Sequence, residues 1–314
     1  MRYCFGVDVG GTTTKMGIFL EDGSMVEKWE IKTHTENEGC RILPDIAASI
    51  RDKSAERSLS REDCAGVGIA IPAPVTEEGN VKMTANIGWK KEKAVKREME
   101  ELTSYPVFVG NDANAAALGE MWKGAGQGRK NMVMITLGTG VGGGVIAGGR
   151  ILVGGNGGGG EIGHICINPE ETQSCGCGKR GCLEQYASAT GLVRLGREQL
   201  SEEKRVTCLK EGELTAKAIF DALKDKDPVA EDIVKRFSQY LARGLAILGA
   251  IADPTVFVIG GGVSKAGNIL LEYLREPYEE RAVFASKNAE FILATLGNDA
   301  GIYGAAKMVL DGIH

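Results

Sequence analysis

Tyr3-Cys4-Phe5-Gly6-Val7-Asp8-Val9 runs directly into Gly10-Gly11-Thr12-Thr13-Thr14-Lys15, and this stretch decides the fold. The first part reads as a short buried β-strand and the second as a Gly/Thr loop. A second stretch has the same form: Met132–Leu137 runs into Gly138-Thr139-Gly140-Val141-Gly142-Gly143-Gly144. After each loop come a short apolar strand, a turn and another apolar run. In the first copy these are Gly17-Ile18-Phe19-Leu20, Glu21-Asp22-Gly23 and Met25-Val26. In the second they are Gly144-Val145-Ile146-Ala147, Gly148-Gly149 and Ile151-Leu152-Val153, with the two loops 128 positions apart. The repeat predicts two related α/β domains, each opening with a hairpin tipped by a Gly/Thr loop. A third apolar run, Val256–Ile259, ends in Gly260-Gly261-Gly262-Val263.

The bulk properties agree with a soluble globular protein. The chain has 314 residues, with 43% hydrophobic and 25% charged content, enough for two domains with a core each. With 37 basic and 42 acidic residues, the net charge of −5 disfavours non-specific nucleic-acid binding. No apolar run approaches the roughly 20 residues that span a bilayer. The N-terminus lacks the long apolar region of a signal peptide, so a cytoplasmic location with reduced thiols is expected. Helices are expected over Ala113–Lys123 with Gly124 as its cap, from about Ala230 to Ala252, and over Gly301–Leu310. The domains are placed at 1–113 plus about 298–314, and at 114–297.

Backbone N–H groups of a Gly-rich turn converge on phosphate oxygens, and Thr hydroxyls add donors. Gly10, Gly11, Thr12 and Thr13 form one such loop, and Thr139 and Gly140 lie in the other. Asp8, at the end of its strand, suits a Mg²⁺ held partly through water, and Lys15 adds a positive charge nearby. A dinucleotide-binding reading requires a helix after the Gly loop. More β-like sequence follows here, and neither loop ends in Gly-Lys-Ser/Thr. Two hairpin loops, with Gly260-Gly261-Gly262 for base and ribose, fit nucleotide binding better.

Val107–Val109 delivers Asn111-Asp112 to a helix start. Asp112 is either the helix N-cap or a carboxylate accepting a proton from a substrate hydroxyl, with Asn111 holding that substrate through its amide. The residues leave both readings open. Cys4, Cys40, Cys64, Cys166 and Cys208 are scattered and read as ordinary side chains. Cys175, Cys177 and Cys182 cluster, and with His164 they make a tetrahedral set for one structural zinc ion. Glu161 and Glu184 bracket that set, which a purely structural loop does not need.

Asp8-Val9-Gly10-Gly11-Thr12-Thr13, Asn111-Asp112-Ala113-Asn114, Leu137–Gly144, Gly160-Glu161-Ile162-Gly163-His164 and the Cys-Gly-Cys-Gly-x-x-Gly-Cys-x-Glu loop at 175–184 together resemble the ROK group of sugar kinases and sugar-responsive repressors. The resemblance covers nearly the whole chain. It implies an actin/hexokinase-like fold, two RNase H-like domains with a cleft between them for ATP and sugar, and a homodimer or homotetramer. It implies Asp112 as general base, with Asn86, Asn111, Glu161, His164 and Glu184 on the sugar hydroxyls. His164 is implied to give one ring nitrogen to zinc and the other to the sugar. Asn86-Ile87-Gly88-Trp89 is similar to a segment of the family's glucokinases, so glucose is the expected acceptor. Ala73, in Pro72-Ala73-Pro74, stands where the family usually has Gly, and its methyl is expected to narrow the pocket. The run Gly157–Gly160 is expected to loosen the approach to Glu161.

Three other readings stand beside this one. The family's repressors carry a helix-turn-helix ahead of the first loop, and a loop beginning at Asp8 argues for a kinase instead. N-acetylmannosamine, N-acetylglucosamine, allose and fructose are alternative acceptors. Polyphosphate is an alternative donor, against which the Gly260–Gly262 turn favours a nucleoside.

Overall fold

The computed structural model describes residues 2–82, 84 and 86–312. Met1, Met83, Ala85, Ile313 and His314, all within the expected first domain, lie outside the described residues. The N-terminal strand forms where the sequence places it, at Tyr3–Val9 (β1). Thr13–Leu20 (β2), Met25–Lys32 (β3), Cys64–Ile71 (β4) and Val107–Asn111 (β5) complete its sheet. The order is β3-β2-β1-β4-β5. β1, β2 and β3 pair antiparallel, and β4 and β5 add in parallel beside β1. β1 and β4 are buried along most of their length, as central strands covered on both faces must be. The edge strand β3 instead exposes Lys28, Glu30 and Lys32, charges that blunt pairing with another chain.

One face of this sheet is covered by the helices Ile42–Glu56 and Val95–Thr103, which bring Ile46, Ile50 and Met99 against Val7, Val67 and Ile69. Burial of each large aliphatic chain contributes about 1.5–3 kcal/mol. The other face takes the helix Ala300–Asp311, whose Ile302, Ala306 and Val309 pack on Cys4 and Phe19. This helix also crosses the helix Asp112–Lys123 at Gly304, where a Cβ would collide with the carbonyl of Ala115.

The second sheet contains Met132–Leu137 (β6), Val141–Ala147 (β7), Arg150–Ile151 (β8), Val256–Gly260 (β9) and Glu290–Leu293 (β10). Its order is β10-β9-β6-β7-β8, with β6–β7 antiparallel and β9 and β10 parallel. This is the first sheet's order again, hairpin strands on one side of the opening strand and parallel strands on the other. The internal repeat is therefore a repeat of topology, of the RNase H-like kind. The Gly loop after β6 leads into an antiparallel strand, which is why no dinucleotide fingerprint forms there.

The long helix of this half runs Pro228–Ala252. Asp227 caps it by accepting from the N–H groups of Val229 and Ala230, and Pro228 fits its first turn. Ile233, Phe237, Leu241, Leu245 and Leu248 form a stripe at helical spacing, in one core with Val133, Ile135, Phe257 and Ile259 of the sheet. The helix ends at Asp253, whose φ of 40° is left-handed, one residue before Pro254.

The chain divides into two compact units. One is Met1–Gly128, Ile151–Gly160 and Thr295–His314; the other is Arg129–Arg150 and Glu161–Ala294. The sequence reading opens its second domain at residue 114. In the structure the helix Asp112–Lys123 belongs with the first unit because it packs on Ala300–Asp311. Among the described residues no helix is long and apolar enough to cross a membrane.

Candidate active site

In the first unit, the hairpin between β1 and β2 turns through Gly10, Gly11 and Thr12. Gly10 N–H donates to the Thr13 carbonyl, and the Thr12 carbonyl accepts from Thr33 N–H. Asp8 lies two residues before the loop and opposite Lys15 in the ladder. Burial, reinforced by the nearby Asp112 carboxylate, pushes its pKa up to about 6, while Lys15 pulls the other way. The Lys15 ammonium donates to the carbonyl of Asn298 at 2.9 Å, which ties its charge to the chain entering the C-terminal helix.

Asn111 and Asp112 divide their work differently from either sequence reading. Asn111 is the N-cap: its Oδ1 accepts from the N–H groups of Ala113 (2.9 Å) and Asn114 (3.1 Å). Its Nδ2 donates to the Ala73 carbonyl at 3.3 Å. One Nδ2 hydrogen is thus what the amide has left for a ligand. Asp112 is the first residue of the helix, with Oδ1 accepting from Ala113 N–H at 2.8 Å. A carboxylate here is favoured by the helix dipole, and the cap is supplied without it.

Asn86 is exposed beside the same loop, where a Cβ on Gly11 would come 3.1 Å from the Asn86 carbonyl oxygen. Ile87 and Trp89 anchor it: both are buried, and the indole N–H of Trp89 donates to the Gly39 carbonyl. Ala73 departs from expectation. Its methyl packs in the core of the first unit, and its backbone is outside the left-handed region that would demand Gly. The run Gly157–Gly160 departs as well. Cβ atoms on Gly157 and Gly159 would collide with the backbone of Val75 and Leu152, so this turn is closely packed there, while Gly158 between them is open.

In the second unit the loop Gly138-Thr139-Gly140 is held by residues that sequence reasoning missed. Ala189 N–H donates to the Gly138 carbonyl and Thr190 Oγ1 to the Thr139 carbonyl. Both stand at the start of the helix Ala189–Glu202, capped by Ser188. Ser188 ahead of an apolar-periodic run is a readable cap signal. Glu184 takes the N–H of Val141 on Oε2 at 3.0 Å, and its carboxylate lies where a Cβ on Gly140 would be. The third turn follows β9. Gly261 has φ +84°, and its Cβ would stand 2.6 Å from the backbone of Leu137, so this turn presses on the end of β6.

His164, Cys175, Cys177 and Cys182 come together as the sequence predicts, with all four ligand atoms within 4.8 Å of one another. Cys177 and Cys182 Sγ are 3.6 Å apart, and Cys175 Sγ is 3.8 Å from His164 Nδ1. A tetrahedral zinc with Zn–S near 2.3 Å and Zn–N near 2.0 Å separates its ligand atoms by roughly 3.5–3.8 Å. The donor set therefore fits zinc in both chemistry and spacing. Burial pushes the Cys175 and Cys182 thiols up, while the backbone N–H of Lys179 pulls Cys177 down. Ionising all three calls for a cation among them. His164 Nε2 faces Glu161 Oε2 at 3.9 Å, and the Cys175 thiol donates to Glu184 Oε1 at 3.7 Å. Both bracketing carboxylates thus touch the cluster.

Glu120 is a further buried group that the sequence did not single out. It is fully buried, and its carboxylate accepts from the N–H groups of Ala125, Thr295 and Leu296. A Glu in a helix reads as a solvated face, and two of its three donors, Thr295 and Leu296, arrive from far along the chain, so no local signal marks its burial.

Residues 4–312 match the ROK family. A glucokinase of Halalkalibacterium halodurans is 46% identical over 314 residues, covering 98% of this chain and 95% of that protein. Among solved structures, a ROK hexokinase from Thermus thermophilus matches with a TM-score of 0.82 at 33% identity, covering 97% of each chain. A ROK family glucokinase from Streptomyces griseus, solved in complex with glucose and AMPPNP, matches with a TM-score of 0.76 at 34% identity over 98% of each chain. With the motifs, the doubled sheet order and the Cys/His cluster all in place, the chain belongs to the ROK family.

Proposed function

We propose that the protein is an ATP-dependent glucokinase that transfers the γ-phosphoryl group of ATP to the 6-hydroxyl of glucose. The observation that carries this reading is Asp112, a carboxylate at a helix N-terminus whose capping duty Asn111 has taken over. The glucokinase relative at 46% identity and the glucose complex of the Streptomyces griseus enzyme support the choice of sugar.

In this reading Asp112 accepts the proton of the sugar hydroxyl as its oxygen bonds to the γ-phosphorus. The bond from that phosphorus to the bridging oxygen breaks, and ADP leaves with the electron pair. The proton can move late, because the transfer is loose, so Asp112 needs no special basicity. The N–H groups of the two Gly/Thr loops, at 10–13 and 138–140, receive the phosphate oxygens, and Gly260-Gly261-Gly262 admits base and ribose. Asn86, Asn111, Glu161, His164 and Glu184 hold the sugar hydroxyls. Magnesium, held through Asp8, would neutralise phosphate charge when bound. Zinc on His164, Cys175, Cys177 and Cys182 would fix the residues that orient Glu161 and Glu184.

The test is ADP release measured against a panel of glucose, mannose, fructose, allose and N-acetylhexosamines, with ATP and polyphosphate as donors. The expected result is a kcat/KM for glucose with ATP well above every other pair. Equal turnover of all the sugars, or none of glucose, would sink the assignment.

A further inference from the structure

The segment Ile151–Gly160 belongs to the first unit, and the chain leaves it at Glu161. Its last four residues are glycines, with φ of +73° at Gly157 and +88° at Gly160. Such a turn has no side chains to hold itself and gives up much backbone freedom on ordering. Within the segment, Gly157 N–H donates to the Gly154 carbonyl and Gly159 N–H to the Val153 carbonyl, and the helix Asp112–Lys123 adds a side-chain clamp from outside it in Asn114.

Asn114 sits two residues after Asp112 and is 5% exposed. Its backbone N–H is taken by the Asn111 cap. Its Nδ2 donates to the Gly159 carbonyl at 3.4 Å, two residues before Glu161. Its Oδ1 is buried and has no hydrogen-bond partner among the described residues. A small cavity of about 10 Å³ lies against this side chain, lined by Asn111 and by Gly110 and Gly157 and otherwise apolar. That volume holds about one water molecule, which needs polar partners to stay. A buried amide with an open acceptor costs its full desolvation, so packing alone does not select Asn at this point.

We propose that Asn114 is a positioning residue for the sugar. Its Nδ2 grips Gly159, one buried water satisfies its Oδ1, and together they fix the Gly157–Gly160 turn from which the chain enters Glu161. The proposal rests on the reading of Glu161 as a sugar ligand.

The test compares Asn114→Ala and Asn114→Leu, the second of which fills the space with an apolar group. Four quantities are measured on the full-length protein: KM for glucose, KM for ATP, kcat, and amide hydrogen exchange over residues 154–161. In both variants KM for glucose rises about tenfold, the factor that one lost amide hydrogen bond supplies. KM for ATP stays within twofold and kcat within about threefold. Exchange over 154–161 quickens while exchange in β1 and β4 stays as in the parent. A purely structural role predicts a lower melting temperature with both KM values unchanged, and that result overturns the proposal. Unchanged exchange over 154–161 overturns it whatever the acceptor sugar proves to be. A wild-type protein inactive on glucose counts against the glucokinase reading instead, so the two failures are told apart.

Discussion

The sheet β3-β2-β1-β4-β5 and the sheet β10-β9-β6-β7-β8 have one order and carry loops of one kind, yet their chemistry differs. Two residues before the first loop stands Asp8; two residues before the second stands Thr136. Asp8 lies near a second carboxylate, Asp112, and its burial and that neighbour both resist its charge. At the matching position of the second loop Thr136 carries no ionisable group. The carboxylate that reaches it, Glu184, accepts the Val141 N–H with one oxygen and meets the Cys175 thiol with the other. A common scaffold thus fixes where a loop stands, and the side chain just ahead of it decides what the loop handles. In the first unit that residue is a carboxylate whose burial resists its charge; in the second it is a neutral hydroxyl, and the carboxylate comes from Glu184 instead.

Asp112→Asn breaks the comparison at its most demanding point. Asn keeps the size and can still accept from Ala113 N–H, but it cannot take a proton. The expected loss in kcat is about 10²–10⁴-fold, the usual contribution of a general base. KM for glucose should move less than threefold, and the melting temperature should stay near the parent's, because the lost repulsion with Asp8 offsets the lost attraction of the helix dipole. A variant keeping more than a tenth of the parent kcat would falsify the base assignment.

The matching change in the second unit is Cys177→Ser. The parent protein is expected to carry one zinc per chain by elemental analysis, and the variant much less. Glu161 touches His164, and Glu184 touches Cys175, so both lean on the cluster. Loss of the metal should therefore raise KM for glucose about 10–100-fold, as disturbed metal-site partners do, with a smaller change in kcat. The melting temperature should fall with it. A variant without zinc but with the parent KM and stability would separate the metal from the sugar, and a parent protein purified without zinc would remove it altogether.

Much of the fold and of the Cys/His cluster is legible in the amino-acid sequence, for a local reason. β1, β6 and β9 are short apolar runs punctuated by glycines, and the cysteines lie within eight positions of one another, so the information is contiguous. Asn111 and Asp112 are harder because both residue types cap helices well. Which one does so depends on where β5 stops, a matter of pairing with Ile71 on the neighbouring strand. Three contacts are not legible at all. Glu184 meets Val141 across 43 positions, Glu120 meets Leu296 across 176, and Asn114 meets Gly159 across 45. No periodicity reports a partner that far away. The methyl of Ala73 is hidden in the same way, since its direction is set by the core of the first unit rather than by its proline neighbours.

The smallest effect sharpens the comparison most, because it reads the charge of the first loop without any catalysis. Asp8 has its pKa raised from the ordinary 3.8 to about 6, chiefly by burial. Below pH 3.8 it is protonated in folded and unfolded chains alike, and its folded environment is satisfied. As pH rises through about 6 the folded protein must ionise a group it prefers neutral, and that stability is lost. Asp8→Asn never ionises, so without metal it should be more stable than the parent at about pH 7.5. At ~1.4 kcal/mol per pKa unit, discounted for the partial exposure of the side chain, the gain is roughly 1–2 kcal/mol. The gain should shrink toward about pH 5. Magnesium should narrow it as well, by stabilising the parent and leaving the variant unmoved. Chemical denaturation at both pH values, with and without magnesium, reads all of this. Equal stability of the two proteins at the higher pH would mean that Asp8 bears its charge easily, and the contrast with Thr136 would then lose its physical basis.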